Sequence, residues 1–306
     1  MAHGCDGRTR NAGRAAARSA PARTASLPAC AVHMGQGRHL WGCHRSRNLI
    51  LAARHLWLCI EAEGADMNDL LLEATDISKA FGGLKALSNV NVSQRRGELL
   101  GMIGPNGSGK STFVNVISGT LKPDSGEILL DGANIARRPQ HVVARAGIAR
   151  TFQAVKIFDK LTVLENVLAG ALGHSSMGTK EVDEARGALA RVGLTADLEQ
   201  RAGALGLYDR RRLEFASRLI SRPKLLMLDE PVGGLNPEEI RAMIGLIQSL
   251  REECGIFIIE HTMKVITSLA DRVVVLVNGK KLVDDSPQTV LRHREVIDIY
   301  LGTGDA

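Results

Sequence analysis

Nine residues, Gly104-Pro105-Asn106-Gly107-Ser108-Gly109-Lys110-Ser111-Thr112, fit the pattern GxxxxGKS directly behind an apolar run, Leu99-Leu100-Gly101-Met102-Ile103. The spacing suits a polyphosphate. Glycines at 104, 107 and 109 let the backbone curl until successive N–H groups converge on an anion, and a following helix would aim its positive end at the same point. Lys110 would reach the β- and γ-phosphates as a point charge, the Ser111 hydroxyl would hold magnesium, and Thr112 would contact the α- or β-phosphate. A glycine-rich turn that matches by chance is the bland alternative. Against it stand the apolar strand before the loop and the helix-like run Thr112 to Ile117, closed by Ser118-Gly119. Far downstream, Asp229 and Glu230 end a second apolar run, Leu225–Leu228. Adjacent carboxylates of opposite facing can divide two tasks: Asp229 would hold the magnesium shell, and Glu230 would polarise a water attacking the γ-phosphorus. Two solvated acids at a strand end are the plainer reading, which the upstream phosphate loop disfavours.

The elements that must position these groups follow from apolar patterning. Leu70 to Ala74, Val90 to Ser93, and Glu127 to Leu130 after the turn Pro123-Asp-Ser-Gly126 read as an antiparallel sheet near the loop. Leu225–Leu228 and Ile256–Ile259 are continuous apolar runs, as expected of parallel strands covered on both faces. Between them lies a helix with Asn236 as N-cap, Pro237 at its first position and Glu239 completing a capping box; Ile240, Met243, Ile244, Ile247 and Leu250 form its buried stripe, and Cys254-Gly255 ends it. Strand, helix and strand then make a crossover unit. Roughly residues 154–220 suggest an inserted helical subdomain, Asn278-Gly279 a tight hairpin, and roughly 286–306 a helical tail.

Composition divides the chain near residue 66. Residues 1–66 carry nine arginines, no lysine and four acids, so they hold most of the net charge of +6. The remainder is nearly neutral, which argues against a nucleic-acid partner. Both tryptophans and four of the five cysteines also lie in this leader. A transit peptide, a metal module and a translation start at Met67 compete as explanations. No CxxC pair supports the metal reading, and the regular strand patterning that begins after Met67 favours the third. Cys254 alone remains beyond the leader, consistent with a reducing compartment. Leu49 to Ile60, the best apolar stretch, is broken by Arg54 and His55, so any membrane role would run through a partner.

With what surrounds them, these features resemble the ATP-binding-cassette (ABC) ATPase family across residues 67–306, an α/β P-loop NTPase with an antiparallel β subdomain and an inserted helical subdomain. In Ala149-Arg-Thr-Phe-Gln153, Gln153 stands where the family's glutamine contacts magnesium and water and couples to the transmembrane partner. His261, in Ile259-Glu-His261, stands at the switch histidine that meets the γ-phosphate, and Phe81 at the aromatic that stacks on adenine. Phe81-Gly-Gly-Leu-Lys-Ala-Leu87, Leu161-Thr-Val-Leu-Glu-Asn-Val167, Gly234-Leu-Asn-Pro237 and Val296-Ile-Asp-Ile-Tyr-Leu-Gly302 look like the ATPase subunits of high-affinity branched-chain amino-acid importers. The resemblance implies ATP and Mg2+ as ligands and a second ATPase subunit facing this one head to tail. It further implies two transmembrane permease subunits, a periplasmic solute-binding protein, and residence at the cytoplasmic face of the inner membrane. Export of lipid or lipopolysaccharide, and a soluble ATP-dependent switch, remain as alternatives.

One segment departs from the family. The signature normally reads LSGGQ or LSYGQ, but the matching stretch here is Leu205-Gly206-Leu207-Tyr208-Asp209, continuing through three arginines to Glu214. Gly206 offers no hydroxyl for a partner's γ-phosphate, Tyr208 puts a ring where close backbone approach is expected, and Asp209 adds a negative charge beside a polyanion. Alternatively, Asp209 caps the helix and Arg210, Arg211 or Arg212 restores the potential.

Overall fold

The computed structural model describes residues 69–171 and 178–301. The leader, the start at Met67, Gly302 and the rest of the tail's end lie outside the described residues.

Two sheets carry the chain. The first is antiparallel, in the order β2-β1-β4-β5, from β1 (Leu70–Phe81), β2 (Leu84–Arg95), β4 (Ser125–Leu130) and β5 (Ala133–Asn134). The second has the order β10-β9-β3-β8-β7-β6, from β3 (Leu99–Ile103), β6 (Ile148–Arg150), β7 (Leu225–Asp229), β8 (Gly255–Ile259), β9 (Arg272–Val277) and β10 (Lys280–Asp285). Its strands run parallel except β10, which returns antiparallel to β9 through Asn278-Gly279. Both turn residues have left-handed backbone, φ 49° and 73°, as a two-residue hairpin needs.

The apolar parallel strands are buried on both faces. Leu100 and Met102 of β3 and Phe257 and Ile259 of β8 face the antiparallel sheet and α1 (Lys110–Ile117), whose Phe113 stacks on Phe257 with ring centroids 6.0 Å apart. Leu99 and Ile103, with Ile256 and Ile258, point to the other layer, which holds α3 (Val163–Gly170), α4 (Thr179–Arg191), α5 (Leu207–Leu219), α6 (Pro237–Leu250) and α7 (Met263–Leu269). Period-two alternation along a strand with an apolar layer on each side is why these runs show no polar positions. Short helices α2 (Gln140–Ala146), α8 (Pro287–Val290) and α9 (Arg294–Leu301) complete the described elements.

Several boundaries differ from expectation. β1 and β2 form one long hairpin, because Gly82 and Gly83, both at positive φ, turn the chain immediately after Phe81. Gly126 lies inside β4 and not in the preceding turn. Its φ of 101° and the 2.6 Å that would separate a Cβ from the Thr75 carbonyl oxygen mark an irregularity that only glycine fits. Helix α6 carries the expected capping box, with Asn236 Oδ1 accepting from the Glu238 and Glu239 N–H groups, but it stops at Leu250. A turn follows, and Gly255 opens β8. Residues 154–161, expected to begin a helical segment, have no helix; helical structure starts at Val163 behind a Thr162–Glu165 capping box.

Candidate nucleotide-binding site

The parallel strands deliver the candidate groups to one end of the sheet. Gly104 follows β3, Glu230 follows β7, and Glu260-His261 follow β8; the pairings Met102 with Ile259 and Asp229 with Ile259 set those ends level. Carboxyl ends of parallel strands are where open α/β sheets bind ligands.

The phosphate loop is held from behind. Gly104, Gly107 and Gly109 have φ of 156°, 78° and 104°. A Cβ on Gly104 would lie 2.1 Å from the Leu276 carbonyl oxygen, and one on Gly109 would lie 2.5 Å from that of Ala86. Nothing lies within 4 Å of the corresponding point on Gly107, so this glycine is required by its conformation, on the open side of the loop. The hairpin turn closes the brace: the Gly279 N–H donates to the Ser108 carbonyl at 2.9 Å, and the Ser88 N–H donates to the Gly279 carbonyl at 2.8 Å. Sequence reasoning found the hairpin but not this contact, which exists only because β9 lies beside β3.

Lys110 occupies the first turn of α1 and donates to the carbonyls of Gly104 at 2.7 Å and Pro105 at 3.0 Å. Burial pulls its ammonium below the usual lysine range, against the opposing pull of the nearby Glu230 and Asp229 carboxylates. Ser111 is exposed beside it and Thr112 half-buried. Pro105 and Asn106 lie on the outer side of the loop, whereas Ser108 is buried with no hydrogen-bond partner for its hydroxyl.

Asp229 and Glu230 diverge. The buried Asp229 accepts from Arg150 Nη2 at 2.8 Å through Oδ2, and Arg150 also reaches Asn115 of α1. Glu230 takes left-handed backbone, φ 48°, an uncommon conformation for a residue with a side chain. Its carboxylate then meets Gln153, whose Nε2 donates to Oε2 at 2.8 Å, and His261, whose Nδ1 lies 3.6 Å from Oε1. The same imidazole nitrogen is 3.9 Å from Glu260 Oε2. Glu260 is fully buried, which raises its carboxyl above the usual range. Gln153, Glu230 and His261 are thus brought together across three elements. Phe81 does not join this cluster. At the hairpin tip, 46% exposed, it has Lys79 Nζ 5.6 Å from its ring centroid. Arg150 and Glu260 escaped the sequence reading although both lie within quoted segments, because only strand neighbours reveal what they face.

A hydroxyl, an amide oxygen and a carboxylate from Ser111, Gln153 and Asp229 form a hard-oxygen set of the kind Mg2+ takes alongside phosphate oxygens. Oδ1 of Asp229, left free by Arg150, fits that use.

The divergent signature segment starts α5. Gly206 is the N-cap, with no side-chain hydrogen bond, so the helix is not capped by Asp209. Asp209 sits three residues into the helix, paired with Arg212. Nor is Tyr208 the outward ring. It is half-buried against the core with the Arg212 guanidinium 4.5 Å from its centroid, and Leu207 is the exposed apolar residue, at 41%. Each arginine is engaged within the chain. Arg210 donates to the Gly203 carbonyl at 2.8 Å and that of Leu205 at 3.1 Å, the buried Arg211 donates to the Gly233 carbonyl at 2.7 Å, and Arg212 reaches Asp209 and the Gly193 carbonyl.

Comparison with known proteins agrees with this arrangement. The family described as ABC transporter matches residues 87–233. The chain is 37% identical over 253 residues to the high-affinity branched-chain amino acid transport ATP-binding protein BraF of Pseudomonas aeruginosa, covering 77% of this chain and 99% of that relative. It is 36% identical, with the same coverage, to LivG of Escherichia coli, which bears the same description. Among solved structures, the ADP conformation of MJ1267, an ATP-binding cassette of an ABC transporter, superposes with a TM-score of 0.71 at 30% identity, covering 76% of this chain and 99% of that one. Phosphate loop, strand-end carboxylates and these similarities together establish that the chain belongs to the ABC transporter family, as an ATP-binding cassette.

Proposed function

We propose that this protein hydrolyses ATP to drive solute import, of branched-chain amino acids or related small solutes, through two transmembrane permease subunits fed by a periplasmic binding protein. The branched-chain amino acid transport function of BraF and LivG supports this class of solute over lipid export or a soluble switch. Among the described residues no helix is long and apolar enough to cross a membrane, so residence at the inner membrane's cytoplasmic face would come from docking on the permease.

The observation that carries the hydrolytic reading is the meeting of Gln153, Glu230 and His261 at the sheet end that also bears Lys110. Residues 104–112 cradle the phosphates, Phe81 stacks on adenine, and Ser111, Gln153 and Asp229 hold Mg2+, which when bound neutralises charge on the phosphate oxygens. Glu230 accepts a hydrogen bond from the attacking water, held by Gln153, and so polarises it toward the γ-phosphorus, and His261 donates toward the γ-phosphate. ATP drives closure of a cassette pair only if it binds the closed pair better than the open one. With no hydroxyl at Gly206 and its arginines engaged internally, this chain's signature grips a partner's nucleotide weakly. We infer a heterodimer in which the partner supplies the intact signature.

Equilibrium binding of ATP with Mg2+ tests the reading. Lys110→Ala should weaken affinity and abolish hydrolysis by about a hundredfold or more. Undiminished affinity in that variant, or purification with ribosomes or DNA in place of membrane permease subunits, would sink it.

A further inference from the structure

Glu214 is an expensive residue to place where it lies. It stands two turns into α5, on the inward face, 1% exposed. Burial pushes its carboxyl up to about 7, and the nearest guanidinium nitrogen, Arg218 Nη2, is 3.8 Å away. What the carboxylate touches is the backbone of the segment leaving β6. Oε1 accepts from the Lys156 N–H at 3.2 Å. An amide without a strand partner is satisfied by such an acceptor.

The far end of the same segment hangs on α3. The buried Asn166 accepts from the Phe158 N–H through Oδ1 at 2.7 Å, and its Nδ2 donates to the carbonyls of Phe158 at 3.0 Å and Thr162 at 2.9 Å. Residues 152–158, which lack regular structure, are therefore fixed at Lys156 and Phe158 by side chains of the two helices. Between Thr151, whose N–H donates to the Met227 carbonyl at 2.9 Å, and the anchored Lys156, Gln153 projects to Glu230.

We propose that Glu214 is a positioning residue for hydrolysis: through the amide of Lys156 it sets where Gln153 meets Glu230. The helix that begins with the signature segment thereby governs the geometry of this chain's own hydrolytic cluster. The inference rests on the ATPase reading above and adds a residue and a linkage to it.

The test is a double-mutant cycle on the full-length chain assembled with its partner cassette, read as steady-state ATPase with ATP and Mg2+ varied. Glu214→Ala should lower kcat about tenfold while KM for ATP stays within about twofold, since nucleotide contacts are untouched. Glu214→Gln keeps an acceptor oxygen and should recover kcat to within about threefold of wild type. Combined with Gln153→Ala, the Glu214→Ala change should add nothing, leaving the double variant within about twofold of Gln153→Ala alone. Losses that multiply, or an unchanged kcat in folded Glu214→Ala, overturn the proposal. If Glu214→Ala does not fold, Lys156→Pro against Lys156→Ala decides. Proline removes the donating N–H and should reproduce the kcat loss, alanine keeps the N–H and should not, and equal rates for the two overturn the linkage. Activity that survives Lys110→Ala would overturn the functional reading and this inference together. Multiplying losses in a Lys110-dependent ATPase reject the inference alone.

Discussion

Gly109 at the start of α1 and Gly206 at the start of α5 head two helices that both offer free N–H groups, yet they are built for different encounters. Gly109 has φ 104° and belongs to a loop with three positive-φ glycines, braced by Ala86, Leu276 and Gly279. Gly206 has φ −67°, a conformation open to any residue, and the turn after it carries an acid locked to Arg212. The first end is a concave, preorganised anion nest. The second is an ordinary helix start, its positive pole weakened by Asp209 and its neighbouring cations turned inward. In the proposed head-to-tail pair the first would serve this chain's nucleotide and the second its partner's, so the contrast would place the asymmetry in the partner's site.

The strongest way to break that contrast is to disable each site of the mixed pair in turn. Glu230→Gln here should remove nearly all ATPase activity, about a hundredfold or more, whereas the matching change in the partner should leave most of it. The reverse order would reject the asymmetry.

A second probe separates the buried acid of α5 from its surface. Glu214 has a folded-state pKa of about 7 against an unfolded value of 4.5, so the native chain holds the extra proton between those pH values. Its contribution is therefore full below pH 4.5 and lost as pH rises toward 7. In urea titrations Glu214→Gln, which does not titrate, should gain on wild type by about 2 kcal/mol between pH 5 and 7.5. A constant difference across that range would mean the carboxyl does not titrate as burial implies.

The brace behind the phosphate loop yields the third. Gly279→Ala forces a Cβ to within 2.6 Å of the Ala86 carbonyl oxygen from left-handed backbone. It should cost about 1–3 kcal/mol in thermal unfolding and weaken ATP binding in parallel. Lost stability with unchanged ATP affinity would detach the hairpin from the site. The smallest effect sharpens the comparison from the other side. A Cβ on Gly206 meets nothing within 4 Å, so Gly206→Ser restores the hydroxyl without strain. It should raise the turnover of the partner's site by up to about tenfold, the worth of one hydrogen bond to a charged group. No change in that turnover would show that the missing serine is not what limits it.

The phosphate loop, the strand-end acids and the α6 capping box were legible because each is local. Their function depends on residues within one or two turns of each other, and spacing along the chain is spacing in space. The signature segment was half legible. Missing residue types could be read, but that Tyr208 turns inward, Leu207 outward and Asp209 pairs with Arg212 depends on the phase of a helix against its core. Phe81-Gly-Gly-Leu84 was read as a family fragment, and its simpler meaning, a hairpin turn, was hidden because glycine pairs serve both purposes.

By itself, then, the sequence determined that the chain carries a phosphate-loop motif of a nucleotide-binding cassette, which lysine and carboxylates are the candidates beside it, and which side chain the signature lacks, because backbone curl and residue chemistry are set over a few positions. Only the tertiary structure decided that Gln153 meets Glu230, that Arg150 holds Asp229, that a distant hairpin braces the loop, and that Glu214 reaches the Lys156 amide. Those contacts join elements far apart in the chain, and strand order and helix phase, which are cooperative properties of the packed core, bring them within bonding distance.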